Sequence, residues 1–145
     1  MIEHASETLA PVSIVLNIWN GDNHVSLRRS LNSISQQKLK PDEVIAVIDG
    51  AISSDLEAVV SQFAKQDDFQ VHLIRLPTAK GLWNGRNQGI AASRNEFIAL
   101  HDADDDRRSS TTIRVVRGRQ FAPRRRFLRA KPGRTRRIVA KWRGR

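Results

Sequence analysis

Phe97-Ile98-Ala99-Leu100-His101-Asp102-Ala103-Asp104-Asp105-Asp106 sets a short apolar run directly against a block of carboxylates. Phe97–Leu100 reads as a buried strand, and the polar residues after it mark where the chain leaves the core. Three more such runs lie upstream. Val71–Leu76 is stopped by Pro77, Val44–Ile48 is closed by Asp49-Gly50, and Val12–Trp19 is followed by the turn residues Asn20-Gly21-Asp22. Between them the apolar period becomes helical. Leu27, Leu31 and Ile34 share one face, with Arg28, Arg29, Asn32 and Gln36 opposite, and Lys40-Pro41-Asp42 closes that helix. Leu56, Val59, Val60 and Phe63 share another, and Ser54 and Glu57 have capping-box spacing at its start. Lys80-Gly81 leads into a third helix, from about Leu82 to Ser93. Strands alternating with helices predict an α/β fold with a mostly parallel sheet and helices on both faces.

In such sheets ligands bind beyond the carboxyl ends of the strands. Trp19–Asp22, Asp49–Ser53, Pro77–Gly81 and Asp102–Asp106 would meet there. No G-x-G-x-x-G or Walker loop is present, so dinucleotide and P-loop readings are weak. Residues two apart in an extended segment point the same way, so Asp102 and Asp104 can converge on one ligand. Carboxylate pairs suit a hard cation such as Mg²⁺ or Mn²⁺, which completes its shell with substrate phosphates and water. The plain alternative is a solvated acidic turn or a helix cap. Asp49 either accepts hydrogen bonds from a base or ribose, or makes an Asx turn with Gly50 at positive φ. Trp19 either stacks on a nucleobase or packs at the top of the sheet. Lys80 and Arg86 either face phosphates or are surface charge. His101 reads as a strand-end residue. His4, His24 and His72 lack supporting spacing, and no Ser-His-Asp set can be argued.

Length and composition bound these readings. A chain of 145 residues allows one domain, or one domain and a tail. It has no Cys, which excludes disulfides and thiol chemistry, and no run of 18 apolar residues. The first ten residues carry Glu3 and Glu7 and do not resemble a secretory signal. A cytoplasmic location, peripheral to the membrane at most, is the expectation. The net charge of +10 hides a sharp split. Residues 1–106 hold all 15 acids and nine bases, whereas residues 107–145 hold sixteen bases, fourteen of them Arg, and no acid. That step marks a boundary between two segments.

Taken together, residues 11–105 resemble the N-terminal half of the family 2 glycosyltransferases, which have the Rossmann-like GT-A fold. Pro11–Gly21 resembles the family's first strand and nucleotide loop, and the Leu27…Leu31…Ser33-Ile34…Gln37 spacing its first helix. Glu43–Gly50 resembles the second strand with its base-binding Asp. Lys80-Gly81-Leu82…Arg86-Asn87-Gln88-Gly89-Ile90-Ala91 is similar to the G-x-x-x-A-R-N-x-G helix, and Phe97–Asp105 to the strand ending in D-x-D. The resemblance implies a nucleotide-sugar donor, a UDP-sugar foremost, and a divalent metal, Mn or Mg. It implies that Asp49 contacts the base with Trp19 beside it, that Asp102 faces the ribose or a metal-bound water, and that Asp104 ligates the metal. Lys80 and Arg86 carry over as nucleotide-facing residues. Asn17 and Trp19 stand where Pro and Tyr are more usual, and Ile48 replaces the first member of a common Asp pair. These departures bear on the donor, not on the fold.

The acceptor, whether a glycan, a lipid or another hydroxyl, is not specified by these residues. In this family the acceptor site and catalytic base follow the D-x-D motif, and an inverting transfer needs a carboxylate to deprotonate the acceptor hydroxyl. Residues 107–145 contain none, so the catalytic base is unassigned and residues 1–106 read as a truncated donor-binding half-domain. Three readings of residues 107–145 are open: a polyanion-binding segment for RNA, DNA or acidic lipid, a disordered basic extension, or out-of-frame translation. The abrupt stop of the resemblance and the swing from Lys to Arg favour the last.

Overall fold

The computed structural model describes residues 11–37, 40–104 and 114–117. Five strands and three helices follow one another: β1 Val12–Trp19, α1 His24–Ser35, β2 Glu43–Asp49, α2 Ser54–Ala64, β3 Gln70–Leu76, α3 Leu82–Ala92, β4 Phe97–Asp102 and β5 Arg114–Arg117. They form one sheet in the order β3-β2-β1-β4-β5. The first four strands run parallel, and β5 lies antiparallel along β4, with Phe97 opposite Arg117. The expected mostly parallel α/β sheet is therefore present. No helix among the described residues is long and apolar enough to cross a membrane.

Side-chain alternation along β1 divides the core. Ile14, Leu16 and Ile18 face one side, where Leu27, Leu31 and Ile34 of α1 and Leu56, Val59, Val60 and Phe63 of α2 cover them. Val15 faces the other side with Ile45, Val47 and Ile98, under Ile90 of α3. Helix α3 sits very close to that face because Gly85 and Gly89 line its inner side. A Cβ at Gly89 would lie 2.4 Å from Val15 Cγ1 and 3.3 Å from Val47 Cγ2. Both valines are fully buried and stiff, so Gly89→Ala must push the helix outward. Overpacking of this kind costs about 1–3 kcal/mol, against roughly 1 kcal/mol gained from helix propensity. A net loss of stability is expected, read as a lower midpoint in urea.

Local boundaries differ from the sequence reading in informative ways. Ser53, not Ser54, caps α2, its Oγ accepting from Leu56 N at 3.3 Å. Glu57 is turned away from the cap to pair with Arg75 of β3, Arg75 Nη1 donating to Oε2 at 2.9 Å. Arg75's hydrogen bonds hold the Glu57 carboxyl below its ordinary value, with burial acting weakly the other way. Helix α1 ends at Ser35, before Lys40-Pro41. Strand β4 runs two residues beyond Leu100, through His101 to Asp102. Strand β5 falls in the basic segment, where no regular element was expected; its β-branched Val115-Val116 lies among arginines and pairs antiparallel with β4. The rest of residues 107–145 lies outside the described residues, as do Asp105 and Asp106.

At the amino end of the sheet, fully buried Glu43 accepts from Ser13 Oγ at 2.7 Å, Arg94 N at 2.7 Å and Arg94 Nε at 3.0 Å. Asn95 Nδ2 donates to Ser13 Oγ and to Asp42 Oδ2, both at 3.0 Å. This network ties β1, β2 and the turn before β4 together at the end opposite the cleft.

Candidate functional site

The strand order turns at β1, which has β2 on one side and β4 on the other. Loops leaving adjacent strands there diverge to opposite faces and leave a crevice at their carboxyl ends. A cleft of about 570 Å³ occupies that position. Asn17 and Trp19 from β1, Asp22 from the following loop, Asp49 from β2, and Asp102, Ala103 and Asp104 from the end of β4 line it. Ala79, Gly81, Leu82 and Arg86 close the side nearest α3. Four of the strand ends singled out from sequence thus supply residues to one place.

The individual side chains play distinct parts. Trp19 is 54% exposed at the mouth, and its ring lies over Gly21, where a Cβ would come within 2.1 Å of a ring carbon. Asp49 is buried, and both its oxygens are engaged: Lys80 N donates to Oδ1 at 2.7 Å and Gly81 N to Oδ2 at 2.8 Å. Gly50, at φ 82°, brings the chain so near Ala79 that a Cβ would sit 2.8 Å from its nitrogen. Asp49 therefore holds the loop ahead of α3 against the end of β2. Asp49→Ala leaves two backbone N–H groups without that acceptor, each such charge-assisted bond being worth about 1.5–3 kcal/mol. Amide exchange at Lys80 and Gly81 should then accelerate by roughly tenfold or more, while Ile14 and Leu16 stay protected.

Lys80 meets Asp49 through its backbone only; its side chain is exposed and does not line the cleft. Arg86 does line it, largely buried, with Nη2 bonded to Asp102 Oδ1 and its guanidinium 5.5 Å from the centre of the Trp83 ring. Ser30 Oγ donates to Asp102 O at 3.0 Å and lies 2.7 Å from His101 Nε2, which pins the end of β4 to α1. With its one proton given to Asp102 O, the hydroxyl accepts from His101, so Nε2 carries a proton. His101 is the strand-end residue its position suggested.

Asp104 lies in the turn after β4, so strand alternation does not carry from Asp102 to it. It is exposed and makes no hydrogen bond or ion pair among the described residues. Sequence reading passed over Asp22 as a turn residue. Its Oδ2 accepts from Trp19 N at 2.9 Å. Burial pushes the Asp22 carboxyl up, Trp19's N–H works against that, and the charge of Asp104 adds to the rise. Asp22 and Asp104 both line the cleft. The all-oxygen donor set fits a hard divalent cation. Among the described residues no three acidic or His side chains already converge tightly enough to cage one.

The model of the family described as glycosyl transferase family 2 matches residues 13–106. The chain belongs to glycosyl transferase family 2. The matched span runs from β1 through the carboxylate block, so every described residue lining the cleft falls within it. Among its relatives is the amylovoran biosynthesis glycosyltransferase AmsE of Erwinia amylovora, 30% identical over 95 residues, 64% of this chain and 34% of that protein. The fold matches the mannosyltransferase PcManGT from Pyrobaculum calidifontis, solved with GDP-Man and Mn²⁺, at a TM-score of 0.58 and 22% identity, covering 67% of this chain and 28% of that one. It also matches S. aureus TarS 1-349 in complex with UDP-GlcNAc, at a TM-score of 0.55 and 21% identity, covering 65% of this chain and 26% of that one. The chain spans about a third of the length of the curated relatives it matches. The expected family 2 membership and GT-A architecture both hold.

Proposed function

We propose that the cleft binds a nucleoside diphosphate sugar, specifically a UDP-sugar, as donor for transfer to a hydroxyl acceptor. The observation that carries this reading is the convergence of Trp19, Asp102 and Asp104 on one switch-point cleft inside the family 2 span. Trp19 offers an exposed face to the base. Asp49 and the loop it holds shape the wall beside it. Asp102, oriented by Arg86 and by the anchored end of β4, faces the ribose. Asp104, with the remaining oxygen of Asp102, would hold Mn²⁺ or Mg²⁺. When bound, the cation would neutralise charge on the diphosphate leaving group. Residues 1–106 form the donor-binding segment, cytoplasmic or peripheral to the membrane, and the basic residues 107–145 follow it, giving β5 to the same sheet.

Calorimetric titration of the 145-residue chain with UDP, in Mn²⁺ and then in EDTA, tests this. Saturable binding that requires the metal is expected. A folded sample giving no binding heat in Mn²⁺ overturns the reading. Binding that ignores the metal and falls steeply with salt would mark the basic segment as a polyanion binder instead.

A further inference from the structure

The cleft has a feature that the position's more usual Pro could not supply. Asn17 is 7% exposed, at the floor of the cleft. Its Oδ1 is fully buried and has no hydrogen-bond partner among the described residues. That oxygen is turned toward α3, because a Cβ on Gly85 would fall 1.6 Å from it. An amide oxygen is compatible with a Cα–H at that place. An NH₂ group there would set hydrogen against hydrogen. The oxygen is thus the atom held against Gly85, and Nδ2 stands farther off, 3.4 Å from the same Cβ position. No protein group is bonded to the carboxamide among the described residues. The other buried atom without a partner, Asn84 Nδ2, belongs to a residue that does not line the cleft. Asn17 also pairs in register with Asp102 of β4, and it shares a sheet face with Trp19 two residues on.

We infer that Asn17 reads the base of the nucleotide: Nδ2 donates to the 4-oxo group of a pyrimidine. This rests on the proposed donor-binding cleft and adds a specificity determinant to it. With Oδ1 blocked by α3, the carboxamide presents donors only. Uracil, with its 4-oxo group, fits that point. The amino group of cytosine would meet it donor to donor, so the site selects uracil over cytosine. The selection resides in the nucleoside and needs no metal.

The test compares UMP and CMP binding in EDTA for the full chain, Asn17→Asp and Asn17→Ala, with melting temperatures for each. Asp keeps the shape and exchanges donors for acceptors. The full chain should bind UMP at least fivefold tighter than CMP. Asn17→Asp should weaken UMP about tenfold and spare or improve CMP, and Asn17→Ala should abolish the preference. If Asn17→Asp does not fold, the UMP-to-CMP ratio in Asn17→Ala decides. A ratio that survives the variants, or a parallel loss of both nucleotides, overturns the inference while leaving the cleft reading intact. A folded chain that binds neither UMP nor, with Mn²⁺, UDP overturns both.

Discussion

Asp104→Ala should abolish Mn²⁺-dependent UDP binding and leave the fold untouched. Asp104 is exposed at the tip of the turn after β4 and has no hydrogen bond or ion pair among the described residues. Nothing in the fold depends on it, so stability should stay within about 0.5 kcal/mol, as for other surface substitutions. The fold stands even to gain slightly, since the charge of Asp104 is one of the causes that raise the Asp22 carboxyl. Affinity for UDP in Mn²⁺ should fall by about 100-fold or more, beyond what groups behind a metal ligand usually contribute. Residual binding in EDTA should be the same in both proteins. Calorimetry with and without metal reads each quantity. A variant that keeps metal-dependent affinity would remove Asp104 from the metal site.

The second large effect lies at the far end of the sheet. Glu43→Ala should destabilise the protein by about 2–4 kcal/mol, because it leaves the Ser13 hydroxyl and the Arg94 amide without their acceptor. Arg94 keeps half its side chain in water, which spares the full penalty of an unpaired buried charge. The effect depends on pH with a definite sign. Burial raises the Glu43 carboxyl, but the hydrogen bonds from the Arg94 amide, Ser13 and the Arg94 guanidinium together outweigh it and leave the value below the ordinary 4.5. A carboxyl depressed by folding stabilises fully above its unfolded value and loses that contribution as pH falls through the folded one. Urea midpoints of the natural chain should therefore drop below about pH 4.5, and that part of the drop should vanish in Glu43→Gln.

Much of this architecture is written locally. The four parallel strands and three helices follow from runs of Val, Ile and Leu broken by Asp49-Gly50, Pro77 and Lys80-Gly81, and from apolar faces such as Leu27, Leu31 and Ile34. Their carboxyl ends then had to meet, and Trp19, Asp49, Asp102 and Asp104 do. What was hidden depends on contacts far apart in sequence. The Glu43 network joins residues 30 to 82 positions apart, and a lone Glu at a strand start gives no sign of it. The same holds for Asn17, whose role rests on a glycine 68 positions later. The charge of Arg86 is legible in the sequence, and its partner Asp102 is not. Ser53 caps α2, and Glu57, which a capping box from Ser54 would need, pairs with Arg75 of β3. Strand β5 carries a short β-branched signal, Val115-Val116, that the surrounding arginines obscure, and it pairs with β4.

The central claim is that a nucleotide sits in the cleft at the carboxyl ends of β1 and β4. A two-dimensional ¹H–¹⁵N spectrum of the labelled chain, titrated with UDP in Mg²⁺, tests it most directly. The account predicts saturable shifts in the amides of residues 17–22, 79–86 and 102–104 and in the Trp19 indole, with the Glu43 end of the sheet unchanged. Shifts confined to residues 107–145, with the cleft amides unmoved, would contradict it.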